Sequence, residues 1–439
     1  MKIGNLFIGY TDGKKEALYK PDFEQFYFNY NGLYEKILKP DKFLLLGRKG
    51  TGKTILGEYI KKKSLSDSNW FCELTSYRSF KFHEMKTLKS EDIKPNEYTM
   101  IWEWIILIKI ATQCVKDEFI DSNIREQLKD FLETSFFELD LNANKIVEIT
   151  KKNEVNASIL YKILNLGGKY GKDTKYQKGT YVDYLPSLRK TILKALKTSN
   201  SRYTIIFDEL DDQFRDEDLY KSNIISLIKT TEKLNIYFHE NQIDCKIIIL
   251  LRTDIFYILN DADLNKIEYD NSVKIDWGIN YGPDSHLFEM ILLKIRQSID
   301  FKESNKKLYN KFFPSKISIG NREISLAKFI LSRTYLRPRD IVSYLNLIRE
   351  DFPNNEVFSV KSIKKIERKY SGYLLKELRN ELYGHMNETE LKESILLLTQ
   401  YKKASFKYSD IKEYYIERKS IYSNINLERM LKIFLILVL

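Results

Sequence analysis

Cysteine is scarce in this sequence, with three residues in 439, at Cys72, Cys114 and Cys245. They are odd in number, far apart and outside any CxxC or Cys/His spacing. That excludes a disulfide-stapled framework and a zinc module, and leaves reduced thiols as the default. The four histidines, His83, His239, His286 and His385, each stand singly, and neither HExxH nor GxSxG occurs. Zinc-peptidase and serine-hydrolase chemistry therefore have no motif to support them. No internal repeat, low-complexity linker or block of like charges stands out, and prolines number only 8. Long hydrophobic runs are missing too. The opening Met1–Ile8 lacks the apolar core of a signal peptide. The longest apolar run, Ile433–Leu439, falls well short of the roughly 20 residues a membrane helix needs. The expectation is a soluble, cytoplasmic chain that stays out of the membrane.

What is present is ordinary globular material, 43% hydrophobic and 30% charged, and long enough for two or three domains. A net charge of +11 and a pI near 9.0 admit an anionic partner such as nucleic acid. They also fit a composition rich in Lys, Ile, Asn and Tyr with no such partner.

The strongest local signal is Gly47, Arg48, Lys49, Gly50, Thr51, Gly52, Lys53 and Thr54, a GxxxxGK[ST] match. An apolar strand precedes it over residues 42–46, and helical spacing follows over residues 54–63. Glycines at these positions let the backbone curl so that successive N–H groups face phosphate oxygens. Lys53 would reach the β and γ phosphates of ATP. Thr54 would offer its hydroxyl to Mg²⁺, and the helix N-terminus would face the same anion.

A second strand is read over residues 203–207 and ends on Asp208-Glu209. Adjacent carboxylates there suit a magnesium-holding Asp208 and a water-activating Glu209. The competing reading is an acidic turn, since Asp211, Asp212, Asp216, Glu217 and Asp218 follow. A third strand over residues 246–251 ends on Arg252-Thr253-Asp254. Either Arg252 or Thr253 would contact the γ-phosphate or place the attacking water. Arg337-Pro338-Arg339-Asp340 opens a helix, with proline where its missing N–H is harmless. The guanidinium of Arg337 or Arg339 would reach the nucleotide from there.

These four elements, in this order, resemble the AAA+ superfamily, most of all its origin-recognition and initiator-like (STAND-like) branch. They also resemble a bacterial family of stand-alone P-loop ATPases found near mobile elements and defence genes. The resemblance spans roughly residues 20–425. It implies an α/β fold: a parallel-sheet P-loop core over 1–284, a helical lid over 285–352 and a winged-helix-like domain over 358–439. About 155 residues separate Lys53 from Asp208, more than a compact core needs, so a helical insertion is expected near 90–200. After the last helix there is room for at most one strand, so the expected wing is truncated or atypical.

In the 360–439 segment Lys402, Lys403, Lys407, Lys412, Arg418 and Lys419 are interleaved with Tyr401, Phe406, Tyr408, Tyr414 and Tyr415. The pattern fits phosphate contacts on double-stranded DNA and equally a solvated helix with tyrosines in the core. The expected function is Mg-dependent ATP hydrolysis driving a conformational switch coupled to DNA. The alternatives are a nucleotide-dependent assembly switch with a protein effector in anti-phage defence, and a scaffold that binds without useful turnover. The resemblance also implies a homo-oligomer in the nucleotide-bound state, for which Arg215 is the arginine-finger candidate.

Overall fold

The computed structural model describes residues 1–78, 80–85, 97–136, 141–152, 181–210, 217–314, 316–403 and 405–438. Its contacts divide the chain into two units. One comprises Asn29–Gly47 and Lys53–Ile275; the other comprises Met1–Phe28, Arg48–Gly52 and Asp276–Leu439.

The first unit is built on a five-stranded, wholly parallel sheet. Its strands are β1 (Leu44–Gly47), β2 (Trp70–Ser76), β3 (Arg202–Asp208), β4 (Cys245–Arg252) and β5 (Ser272–Ile275), in the order β2-β3-β4-β1-β5. The three inner strands are the apolar runs read from the sequence. Parallel strands buried on both faces lose the polar alternation of a half-exposed sheet, so such runs are what they look like. Ile205, Phe207, Ile247, Ile249 and Leu251 face one apolar cluster, and Leu250 points the other way. That alternation follows from the period of two along a strand.

The helix Lys53–Ser64 packs on the Leu250 side. It can approach because position 57 is glycine. A Cβ there would lie 3.1 Å from the methyls of Leu74 and Leu250, which outweighs the modest cost of glycine inside a helix. The opposite face is covered by Glu97–Lys116 and Glu217–Glu240. Ile101, Trp102, Trp104, Ile105, Ile108 and Cys114 of the former are all buried, as expected for a helix apolar on every side. Its polar residues are partnered. Glu103 meets Arg189 and Lys233, Lys109 meets Glu73, and Gln113 donates to the Thr204 carbonyl.

The stretch expected as an insertion is helical wherever it is described, with Ser122–Phe136, Ala143–Lys152 and Tyr181–Thr198 following. Its first helix nevertheless belongs to the core of the sheet unit rather than to an appended surface. Part of the expected insertion lies outside the described residues, as do Asp211, Asp212, Asp216 and Arg215.

In the second unit the helices His286–Ser298, Asn305–Phe312, Leu326–Leu331, Pro338–Asp351 and Val360–Leu382 enclose an apolar centre. A hairpin of β6 (Lys316–Ile319) and β7 (Arg322–Ser325) stands where no strand was expected. Each strand is four residues long and largely exposed, too short for periodicity to register. The N-terminal residues lie along Pro338–Asp351. Ile3 N–H donates to Asn355 O (2.7 Å), Arg349 to Leu6 O (2.6 Å) and Asn346 to Gly9 O (2.9 Å).

Over residues 358–439 a winged-helix-like domain with a truncated or atypical wing was expected. Glu388–Tyr401, Tyr408–Glu417 and Leu427–Val438 follow Leu382 as helices, and no strand occurs beyond residue 358 among the described residues. The closing apolar run is helical because Leu427, Met430, Leu431 and Phe434 recur at helical spacing and turn toward one cluster with Leu391, Leu397 and Tyr422. Among the described residues no helix is long and apolar enough to cross a membrane.

Trp102 is fully buried, its ring against Tyr77, Phe80, Phe82 and Phe207. Trp102→Ala should lower unfolding free energy by about 3–5 kcal/mol. In urea titration this appears as a lower midpoint with an unchanged slope.

Candidate functional site

Parallel strands that run the same way present their carboxyl ends along one edge, and α/β sheets bind ligands there. In the sheet unit β1 ends on Gly47, β3 on Asp208 and β4 on Arg252, in neighbouring register. The loop after β1 turns through Gly50 and Gly52 at φ +82° and +103°, values that a side chain would strain. The helix begins at Lys53 without a break. Lys53 Nζ donates to Gly47 O at 2.8 Å, which keeps the ammonium at the mouth of the loop.

Asp208 is buried and takes a side-chain hydrogen bond from Thr54, with Lys53 adding a favourable charge. Burial dominates all the same and pushes its pKa up to about 6. One carboxylate beside one threonine hydroxyl fits Mg²⁺, which keeps several waters and draws other ligands from phosphate oxygens. It does not fit a cation caged by protein alone, and no cluster of three metal-ligating His, Cys, Asp or Glu occurs among the described residues.

Glu209 sits at φ +55°, a left-handed conformation that is uncommon outside glycine, and its N–H donates to Asp208 Oδ1 at 2.8 Å. The bend separates the two carboxylates: Asp208 turns in, while Glu209 stays half-exposed. Ser76, the last residue of β2, donates its hydroxyl to Glu209 Oε2. Sequence reasoning missed Ser76 because β2 was not read as a strand. Its mixed Trp70–Ser76 composition lacks the apolar run of an inner strand. Beside these groups Arg252 lies bidentate on Asp254 (Nε–Oδ1 3.0 Å, Nη2–Oδ2 2.6 Å), and Thr253 opens the short helix Thr253–Phe256.

The tip of the loop, Arg48–Gly52, clusters with the second unit. Arg48 Nη2 donates to Tyr335 O at 2.8 Å. Burial lowers the pKa of Arg48, as does the neighbouring Arg337 guanidinium. Lys49 is half-buried, and Thr51 is buried with its hydroxyl on Arg48 O. Arg339 N–H donates to Gly50 O at 3.3 Å, and the Arg339 side chain reaches Thr11 O and Glu377.

Arg337 was expected to reach the nucleotide from the helix start at Pro338. Only 1% of it is exposed. Its guanidinium is shared between Asp340 (Nε–Oδ2 2.9 Å, Nη2–Oδ1 3.0 Å) and Glu381. Those two carboxylates raise its pKa against the pull of burial. The guanidinium is thus occupied within the helical unit, where it fixes the turn that precedes Pro338. Arg339 lies against the Gly47–Thr54 loop at Gly50, while the Arg337 guanidinium neighbours the loop only through Arg48.

Residues 285–379 match a family described as the FunZ-associated C-terminal helical domain. No curated protein matches the chain. Among solved structures, the ORC1 protein of Aeropyrum pernix, determined in complex with DNA, aligns over 94% of this chain and 81% of its own. The identity is 11% and the TM-score 0.34. The fold and site described above stand on the chain's own geometry.

Removing one partner of a buried ion pair strands the other. Arg337→Met should therefore cost about 3–5 kcal/mol of stability. Arg339→Ala, cut from a half-exposed side chain, should cost below about 1 kcal/mol. Thermal unfolding of both variants checks the contrast.

Proposed function

We propose that this chain binds Mg-ATP at the Gly47–Thr54 loop and hydrolyses it. The observation that carries the reading is the meeting of Lys53, Thr54, Asp208 and Glu209 at one edge of a parallel sheet. Glu209 is held by Ser76, and Asp208 is hydrogen-bonded to Thr54. In this reading the curled loop binds the phosphates through its amides, and Lys53 stabilises charge on the β and γ oxygens. Thr54 and Asp208 would hold Mg²⁺, which supplies charge neutralisation on the phosphate oxygens. Glu209 accepts a proton from water as that water attacks the γ-phosphorus, and the bond to the bridging oxygen of ADP breaks. Ser76 positions Glu209, and Arg252 or Thr253 senses the γ-phosphate.

The finer reading is that turnover drives a conformational switch coupled to double-stranded DNA. Its support is the exposed set Lys402, Lys403, Lys407, Lys412 and Lys419, of which Lys412 lies in the helix Tyr408–Glu417 and the rest in the connections flanking it. Their aromatic neighbours are divided, since Tyr401 is buried in the local core while Lys403 and Lys412 lie over Tyr401 and Tyr408. A nucleotide-dependent assembly with a protein effector, through a homo-oligomer, is the outcome if DNA has no effect.

The reading is tested by steady-state ATP hydrolysis of wild type, Lys53→Ala and Glu209→Gln, with and without double-stranded DNA. Both variants should lose at least about 100-fold in turnover, the scale of losing general-base or preorganised electrostatic help. Equal rates in all three proteins would remove the catalytic assignment. Rates raised by DNA in wild type alone would support the coupling, and rates indifferent to DNA would move it to a protein partner.

Asp208 gives a pH signature. Its native pKa, about 6, lies above the unfolded value, so the native state holds the proton more tightly and folding stability falls as pH rises from about 4 to about 6. Magnesium requires the ionised form. Protonation of Asp208 should weaken Mg²⁺ binding in the presence of ATP by up to about tenfold per unit as pH falls below about 6, on top of the loss caused by protonation of the γ-phosphate. Asp208→Asn should make the slope shallower, leaving only the γ-phosphate's share, in a Mg²⁺ titration followed by calorimetry.

A further inference from the structure

A loop that turns its amides inward must turn carbonyls outward, and an outward carbonyl removed from water needs a donor. Within the second unit two such carbonyls of the loop tip are met by residues far away in sequence. Trp277 Nε1 donates to Thr51 O at 2.9 Å, and Arg339 N–H donates to Gly50 O at 3.3 Å. The Trp277 ring is 8% exposed and stacks on Phe28, with centroids 6.1 Å apart and planes at 26°. Its orientation is therefore set by packing as well as by the bond. Thr51 is 3% exposed, so water cannot readily replace the indole. The local bonds of Thr51 go back to Arg48 O from both its N–H and its hydroxyl. They close the turn but leave Thr51 O to an outside donor.

We propose that Trp277 is a positioning residue for phosphate binding. Its indole N–H holds the Thr51–Gly52 peptide plane, and the Arg339 backbone N–H holds the Gly50–Thr51 plane before it, so that the Gly52 amide is presented to an anion before it arrives. The cost of ordering the loop is then met on folding rather than on binding, which is how preorganisation raises affinity. Trp277 touches no phosphate; it acts through the loop. The inference rests on the reading that this loop binds ATP.

Trp277→Phe keeps the ring and removes the N–H. It should weaken ATP binding by calorimetry about fivefold to tenfold, the worth of one neutral hydrogen bond, with kcat at saturating ATP unchanged. Without nucleotide, hydrogen exchange of the 47–54 peptide should quicken, while that of the core helix Glu97–Lys116 should not. Phe28→Leu disturbs the stack but spares the N–H, and should give a smaller loss in the same direction. Unchanged ATP affinity together with unchanged exchange in Trp277→Phe would overturn the proposal. So would a fall in kcat with affinity intact, or quickened exchange in both peptides, which would mark a merely structural role. Failure of the wild type to bind ATP would remove the functional reading instead. The exchange comparison would still decide whether Trp277 orders the loop.

Discussion

A phosphate loop is a stretch of backbone in which the usual hydrogen-bond balance is deliberately one-sided. Its donors are reserved for an anion, so its acceptors must be satisfied from elsewhere. In this chain Lys53 returns to Gly47 O, Trp277 to Thr51 O and Arg339 N–H to Gly50 O. Glycine at 50 and 52 permits the curl, yet permission is not specification, because glycine is also the residue with most freedom to lose. The donors supply the specification. They are contributed by residues that the loop's own sequence cannot name, which makes the loop dependent on the fold around it.

The helical unit spends a buried arginine on a comparable task. Desolvating Arg337 is costly, and Asp340 and Glu381 between them offset that cost by charge and geometry. Such a network adds little net stability over an apolar replacement of the same shape, but it tolerates few alternative arrangements. Asp340 also accepts from Tyr335 N–H, and Leu336 beside it adopts φ +54°. The network therefore fixes a strained turn whose carbonyl at Tyr335 receives Arg48. A guanidinium that looks available for phosphate in the sequence is thus committed to building the turn on which Arg48 of the loop docks and from which Arg339 meets Gly50.

How much of this was legible in the sequence follows from how far each feature reaches along the chain. The inner strands β1, β3 and β4 are apolar runs because both sheet faces are covered, and the phosphate loop is eight consecutive residues. Both are local, and both were read, giving the α/β class. The edge strands β2 and β5 carry Glu73 and Lys274 among their apolar residues, as edges do, and periodicity passed over them. The C-terminal run was open to either a strand or a helix until the cluster around Leu391 and Tyr422 selected the helical spacing. Ser76 and Trp277 were out of reach for another reason. Each meets its partner across 133 and 226 positions, so nothing near either residue announces the contact.

Asp208 shows why burial at such a site is not a defect. An exposed carboxylate would be cheap to ionise and would bind a hydrated cation weakly, since water competes on equal terms. Burying it makes the bare ion costly, which appears as the raised pKa, and the Thr54 hydroxyl and the nearby Lys53 only partly relieve that cost. A bound divalent cation would relieve it without a proton, because it brings two charges and its own ligands. In the proposed reading the penalty held in the folded carboxyl would be part of the driving force for the metal. Glu209, one residue on but turned outward by its left-handed backbone, escapes the same burial and keeps contact with water. One backbone bend at the end of a buried strand thus gives adjacent carboxylates opposite environments, one suited to a cation and the other to a proton.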